Sequence, residues 1–250
     1  MRRIIYLLIA LCVASGLRAQ VTFKGQIPTQ KVYNLNDIYD STYGIQLFDK
    51  YNAILGGDSV RKSPEGYDCS GWVEDHYANG ALLHKGFYAD GQLTIYTNYY
   101  PGGQVERTFK DVTERKAEMK KYFPDGKIRS EVVYFNGSAI SYHDYYDNGN
   151  PSYVEEYDKK HERLLQRASY YQDGNPQFIF APVPDTKKPV RYSHKEYYDG
   201  GTALKEEYEM IYSDDALDYV KDGEDKVYDK KGNITSDIIY VDGQENKTIK

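Results

Sequence analysis

The sequence predicts an all-β fold: an elongated, curved, single-layer antiparallel meander of tandem β-hairpin repeats, preceded by an irregular N-terminal cap. Two observations predict this fold. An aromatic-x-Asp/Asn-Gly motif recurs along the chain, and the composition includes 28 Tyr residues but only one Trp. Between copies of the motif, apolar and polar residues alternate, as they do in half-buried strands.

The turn motif defines the repeat. Its clear copies end at these glycines: Gly80, Gly91, Gly103, Gly126, Gly137, Gly149, Gly174 and Gly243. Weaker copies end at Gly200 and Gly232, and the usual step is eleven or twelve residues. The interval from Gly103 to Gly126 is twice that step, which predicts a degenerate turn near residues 109–112. Asp-Gly and Asn-Gly favour type I′ turns because both central residues need positive φ. Each unit therefore holds one strand and one turn, which predicts roughly ten to twelve strands.

Tyrosine recurs at the eighth position after the turn glycine, and an apolar residue recurs at the second position. These positions have the same parity, so we expect their side chains to project from one face of the sheet. Ladders of aromatic pairs on that face would contribute about 0.2–1 kcal/mol each and would replace a conventional core. Exposed aromatic rows also predict a binding surface. The predicted binding residues are Trp72, Tyr88, Tyr99, Tyr134, Tyr145, Tyr157 and Tyr240.

The N-terminus has the pattern of a secretory signal peptide over residues 1–19. Arg2 and Arg3 precede a short apolar stretch, and Ala19 precedes a plausible cleavage site at Gln20. We therefore expect an exported protein that is periplasmic, on the outer surface or secreted. Residues 20–70 do not carry the repeat and are predicted to form a cap or linker, and residues 71–250 form the repeat domain.

Four segments depart from the regular pattern. Residues 37–51 fit either a short helix or a strand, and residues 63–66 indicate a turn. Residues 111–122 have a helix-favouring composition, but the phase of the repeat predicts a strand. Residues 181–190 contain three prolines, which predicts a loop insertion rather than a central strand.

Charge and cysteine content exclude several function classes. Removal of the leader leaves 29 basic against 38 acidic side chains, a net charge of −9. This sign argues against nucleic acids and anionic lipids as partners, because both are bound largely by Lys and Arg. No segment after the leader is apolar enough to span a membrane. Cys69 is the only cysteine of the mature chain, so it is predicted to be a buried hydrophobe.

The sequence shows no convincing catalytic, metal or cofactor site. The five histidines lack the spacing of metal ligands and are predicted to be polar residues on exposed strand faces. The loop at Gly56–Ser59 lacks the signatures of phosphate or nucleophile loops and is interpreted as a turn. A glycosidase-like pair of carboxylates remains an alternative, because such a pair needs only to converge in space. We predict a protein that is not an enzyme.

The recurring Tyr-x-Asp/Asn-Gly turn, over residues 71–103 and 123–157, resembles MORN-type repeats. It is most similar to the bacterial MORN-variant proteins that are often grouped as antitoxin-like. The resemblance implies a curved antiparallel sheet used for protein or surface contacts, without catalysis or a cofactor. The sequence departs from the eukaryotic MORN pattern, which is richer in glycine and tryptophan, and its leader departs from a cytoplasmic antitoxin.

The leading hypothesis is an exported, non-catalytic repeat scaffold that contacts a protein or a cell-surface glycan. The alternative is an immunity or antitoxin-like protein that neutralises a partner toxin outside the cytoplasm. The identity of the ligand and the oligomeric state are left open by the sequence.

Overall fold

A computed structural model describes residues 31–42, 44–45, 60–63, 65–184 and 190–250. The all-β prediction is confirmed: consecutive hairpins form one open sheet of 16 strands, and a two-stranded pair lies beside it. The predicted signal peptide and the first part of the predicted cap lie outside the described residues.

The elements are short and regular. In chain order they are β1 (Val32–Tyr33), α1 (Leu35–Ile38), β2 (Tyr39–Asp40), β3 (Gly44–Ile45), β4 (Gly71–Tyr77), β5 (Leu82–Ala89), β6 (Gln92–Tyr99), β7 (Val105–Thr113), β8 (Lys116–Tyr122), β9 (Ile128–Phe135), β10 (Ser138–Tyr145), β11 (Pro151–Tyr157), β12 (Leu164–Tyr170), β13 (Pro176–Pro182), β14 (Arg191–Tyr197), β15 (Leu204–Ser213), β16 (Asp218–Tyr228), β17 (Ile234–Val241) and β18 (Gln244–Thr248).

Each strand from β4 to β17 pairs antiparallel with the next strand of the chain, and β1 pairs parallel with β4. The prediction of ten to twelve strands was too low. The chain also reverses where the turn motif is absent, as between Thr113 and Lys116 and between Ser213 and Asp218. The first of these reversals lies a few residues beyond the degenerate turn predicted at residues 109–112.

The turns on the two edges of the sheet differ. Turns after the even-numbered strands β4 to β16 lie on one edge, here called the tyrosine edge, and the others lie on the opposite edge. At Tyr77 the three-residue loop is closed by Gly80 N–H donating to Tyr77 O (2.8 Å) and Tyr77 N–H donating to Ala81 O (2.8 Å). Only the glycine of this loop has positive φ, which is a type I turn with a glycine bulge. The prediction of type I′ turns is therefore wrong for this edge.

Type I′ turns do occur on the opposite edge. Asp90 and Gly91 both have positive φ (46° and 78°), as the turn type requires. The same geometry recurs at residues 136–137 and 242–243. The alternation of the two turn types explains why the true structural period is two strands, or about 23 residues.

Tyrosine hydroxyls connect successive turns along the tyrosine edge. The Tyr77 hydroxyl donates to the carbonyl oxygen of Tyr99, and the Tyr100 hydroxyl donates to that of Tyr122, both at 2.7 Å. Equivalent bonds run from Tyr146 to Tyr170 O, from Tyr171 to Tyr197 O and from Tyr198 to Tyr228 O. The first tyrosine of the motif therefore has a structural role, which is to satisfy a carbonyl two strands away.

A β-bulge follows every turn of the tyrosine edge. The extra residues in the first four bulges are Leu83, Glu106, Arg129 and Ser152, spaced 23 residues apart. A bulge changes the face to which later side chains point. The prediction that the second and eighth positions share one face is therefore wrong, because a bulge lies between them.

Register divides the side chains between two faces, because residues directly opposite in a ladder point the same way. The front face carries one register row that runs from Val73 through Gly86, Tyr96, Phe109 and Met119 to Val132. The back face carries the residues between them, including Trp72 and Phe87.

The described part of the predicted cap packs on the front face. Ile38 and Ile45 are buried in one core with Val73, Tyr96 and Phe109. Cys69 belongs to the same core and is 1% exposed, so its prediction as a buried hydrophobe is confirmed. We call the described residues between 31 and 63 the covering segment. They convert the front face of β4 to β9, the covered half, into a conventional core.

The irregular segments have mixed outcomes. Residues 37–51 include both a helical turn that ends at Ile38 and short strands, and residues 46–59 lie outside the described residues, as does the Gly56–Ser59 loop. The predicted turn at 63–66 is confirmed by Gly66 N–H donating to Ser63 O. The strand prediction for 111–122 is confirmed by β7 and β8, apart from the reversal at 114–115. The predicted loop at 181–190 begins later than expected, because Pro182 ends β13 opposite Tyr192, where no N–H is needed beyond the strand.

Candidate functional site

The predicted binding residues do not share one face. By register, Tyr88, Tyr134, Tyr157 and Tyr240 lie on the front face, and Trp72, Tyr99 and Tyr145 lie on the back face. Trp72 is 54% exposed, whereas Tyr88 is 1% exposed and belongs to the core. The ring of Tyr88 is therefore unavailable to a ligand in this structure.

The remaining predicted residues are half-buried and have local partners. Tyr134 packs against the core of the covered half, and the carbonyl of Tyr99 accepts the Tyr77 hydroxyl. The Tyr145 hydroxyl donates to Glu131 Oε2 at 3.2 Å. Tyr157 stacks on His161 with ring centroids 4.1 Å apart, and the ammonium of Lys221 lies 5.5 Å from the Tyr240 ring.

An exposed apolar patch lies on the back face of β4 to β6. Trp72, Phe87 and Ile95 are consecutive partners in one register row. The Trp72 and Phe87 rings meet edge to face at 5.5 Å, and Ile95 is 41% exposed. We call these three residues the apolar patch. Charged residues border it, including Lys85, which pairs with Glu74 at 2.9 Å and lies over the Trp72 ring. A large apolar anchor within a charged rim is typical of interface hot spots.

A polar row crosses the front face beside the apolar core. Its members are consecutive register partners on β4 to β10: Asp75, His84, Asn98, Arg107, Lys121, Ser130 and Asp144. The first four of them are at most 1% exposed. His84, Arg107 and Ser130 are 23 residues apart, so the double period was the signal by which sequence reasoning could have found this row.

The covering segment compensates the charges at the start of the polar row. Arg61 forms a two-bonded ion pair with Asp75 at 3.1 and 2.5 Å, and the backbone N–H of Lys31 donates to the same carboxylate. Both side chains of the ion pair are buried, 6% and 0% exposed. Such a pair contributes to stability mainly because neither partner can be removed without leaving a buried charge.

His84 corrects the prediction that the histidines are exposed. Its Nδ1 lies 2.8 Å from Asn98 Oδ1, and its side chain is fully buried. Burial lowers the pKa of His84 to about 4, so the ring is neutral near pH 7. A buried neutral imidazole bonded to an amide is a structural histidine, because it has no path to a substrate.

Glu106, the bulge residue of β7, lies under the covering segment. Its carboxylate accepts the backbone N–H of Ile45, and Arg107 Nη2 lies 3.3 Å from Oε1. A Cβ at Gly44 would collide with this carboxylate, so Gly44 is required there. Burial raises the pKa of Glu106 to about 7.

A cavity of about 390 Å³ opens where the covering segment ends on the front face. Its lining residues are Thr42, Lys121, Arg129, Ser130, Tyr142, Asp144, Tyr145 and Ser152. Arg129 Nη2 donates to the carbonyl of Thr42 at 2.8 Å, which fixes one wall of the cavity to the covering segment.

The front face of β11 to β17, the open half, is organised differently. Phe178 stacks on His194 with centroids at 5.6 Å, and His194 stacks on Tyr208 at 4.6 Å. Lys221 continues the row, with its ammonium 4.1 Å from the Tyr208 ring. The parallel rings use their faces on one another and present their edges to solvent. This row therefore stabilises the sheet and offers little flat surface for a sugar ring to stack on.

Within the described ranges, no group of three or more His, Cys, Asp or Glu side chains is placed to hold a metal ion. In the same ranges, no helix combines the length and hydropathy needed to cross a membrane.

Comparison with known proteins gives no relative. No protein-family model matches the chain, and no curated protein matches it.

Proposed function

We propose that this protein is an exported, non-catalytic scaffold that binds a protein partner through the apolar patch. The observation that carries the proposal is the exposure of Trp72 and Ile95 in one register row with Phe87. Trp is enriched at binding hot spots, and an exposed row of large apolar side chains costs solubility unless it is used.

A protein partner fits the patch better than a glycan does. The row ends in an aliphatic side chain, Ile95, and Lys85 lies over the Trp72 ring. Sugar recognition by stacking needs an open aromatic face, whereas a protein side chain can pack against ring edges and aliphatic groups. A cell-surface glycan is therefore the second ligand class. A secreted toxin is the partner that the MORN-type resemblance adds.

The single tryptophan provides a direct test. The mature chain from Gln20 would be used for affinity capture from envelope and culture fractions and for a glycan array, with Trp72 emission as the binding signal. We expect a retained protein, a blue shift of the emission, and loss of capture in Trp72→Ala. The matched control is Tyr212→Ala, which removes an aromatic side chain of similar exposure, 48%, from β15. Equal capture by Trp72→Ala and the wild type would refute the proposal.

A further inference from the structure

We propose that the front-face cavity beside Lys121 and Arg129 binds a small oxyanion: a carboxylate, sulfate or phosphate group. The site is independent of the apolar patch, because it lies on the other face of the sheet and on β8 to β10 rather than β4 to β6.

The β-bulge of β9 assembles the site. Lys121 pairs with Ser130 and Tyr122 pairs with Ile128, which leaves Arg129 as the extra residue. The bulge places Arg129 beside Ser130, so that both line the cavity together with Lys121. Ser130 is 3% exposed, so its hydroxyl is a fixed, buried polar group of the wall. The Tyr142 side chain forms the next wall.

The site has an excess of positive charge. Lys121 lies directly opposite Arg107 in the ladder, and like charges in that position repel one another. Burial lowers the pKa of Arg107 to about 10, and burial together with Arg107 lowers that of Lys121 to about 8. These shifts have the direction expected for crowded cations that lack a counter-charge.

The neighbouring carboxylates are already engaged. Glu106 accepts the Ile45 N–H and contacts Arg107, and the Tyr142 hydroxyl donates to Asp144 Oδ2 at 2.9 Å. Lys121 has no hydrogen bond or ion pair with any described residue, although it lines the cavity. Its ammonium is therefore a ready donor for a ligand.

An oxyanion supplies what this cavity lacks. Lysine and arginine donate charge-assisted hydrogen bonds to carboxylate, sulfate and phosphate oxygens, and a buried hydroxyl can add a further donor. A cation is disfavoured, because Asp144 is the only carboxylate of the lining and it stands among Lys121 and Arg129. A volume of about 390 Å³ accommodates a small molecule that carries such a group.

The test is a titration of the mature protein with sodium acetate, sulfate and phosphate at constant ionic strength in chloride, followed by NMR of the backbone amides of β8 to β10. We expect saturable binding by at least one of these anions. Lys121→Met should weaken that binding at least tenfold. The matched control is Lys120→Met, which removes the same charge from the next residue, on the back face where Lys120 pairs with Glu131 at 2.6 Å.

The three anions distinguish the sources of the group. Saturation by acetate alone assigns a carboxylate, saturation by sulfate or phosphate alone assigns a tetrahedral oxyanion, and both results support the site. Lys121→Met should remain folded, since it relieves the repulsion from Arg107, and Arg129→Gln provides a second loss variant. The proposal is overturned if no anion saturates, or if Lys120→Met weakens binding as much as Lys121→Met.

Discussion

The two halves of the sheet use the same 23-residue unit and stabilise it by different means. In the covered half, the covering segment seals the front face, and Tyr96 and Phe109 are each 1% exposed. In the open half, strand β11 has no fully buried residue, and the small cluster around Leu164, Phe180 and Tyr192 is the main apolar core among the described residues there. Rows of stacked rings replace the missing layer.

The comparison shows what a single-layer sheet requires. Register and turns are sufficient to order the strands, but burial of one face needs either a second segment or side chains that cover one another. The covered half can therefore tolerate a buried polar row, because the covering segment provides Arg61 and backbone N–H groups as partners. The open half keeps its charges at the surface.

The largest expected effect comes from truncating equivalent rings in the two halves. Phe109→Ala should destabilise the protein by about 3–5 kcal/mol, because it leaves a cavity in a closed core. Phe178→Ala should cost only about 1–2 kcal/mol, mainly the stacking on His194. Urea unfolding would be followed by Trp72 fluorescence, which reports the covered half, and by circular dichroism, which reports the whole sheet. Equal costs would remove the distinction between the halves.

Breaking the ion pair beneath the covering segment should have a similar cost. Asp75→Ala leaves Arg61 buried without its carboxylate, which is worth about 3–5 kcal/mol. The control is Asp68→Ala, which removes an exposed carboxylate 3.9 Å from Lys62 and should cost less than about 1 kcal/mol. Chemical denaturation of both variants would measure the difference, and a small effect of Asp75→Ala would show that the covering segment is dispensable.

The covering segment should also make stability depend on pH. The pKa of Glu106 is raised to about 7 in the folded state from 4.5, so between these values the folded state holds a proton that the unfolded state has lost. This contribution to stability is fully present below about pH 4.5 and is lost as the pH rises through 7. Glu106→Gln keeps an acceptor for Ile45 N–H and cannot ionise. Relative to the wild type, its free energy of unfolding should therefore rise by about 3 kcal/mol between pH 4.5 and 8.

Urea unfolding at a series of pH values would measure this difference. The exposed Glu114→Gln is the control and should leave the profile of the wild type unchanged. A profile for Glu106→Gln that runs parallel to that of the wild type would contradict the placement of Glu106 under the covering segment.

The smallest effect concerns the bonds that both halves share. Tyr146→Phe removes the hydroxyl that bonds to Tyr170 O at 2.7 Å and should cost about 0.5–1.5 kcal/mol. The chain has Phe123 at the equivalent place, where the corresponding acceptor is the carbonyl of Tyr145. Phe123→Tyr should therefore stabilise the protein, by no more than about 1 kcal/mol. Thermal unfolding of the two variants would show opposite shifts, and shifts of the same sign would contradict the role assigned to the hydroxyls.

The turn motif was sufficient to predict the strands, their antiparallel order and the single-layer sheet. It was not sufficient to predict the faces, because bulges at positions such as Leu83 and Arg129 leave no local signature in composition. It also missed the reversal at Glu114 and Arg115, where tertiary pairing forms a turn without glycine.

The candidate sites were predicted only in part. Trp72 was named from its place at the start of the array, and the structure places it in an exposed patch. Lys121, Arg129 and the polar row were missed, because their meaning comes from cross-strand neighbours that only the register brings together. Sequence separation hides such contacts, even though their 23-residue spacing is visible.

The most direct test of the difference between the halves is amide hydrogen exchange of the mature protein, resolved by strand with mass spectrometry. The slowest exchange should be found in β5 to β8, where the front face is sealed, and exchange should be clearly faster in β12 to β16. Equal protection along the sheet, or slower exchange in β12 to β16, would contradict the claim that the covering segment gives the covered half its core.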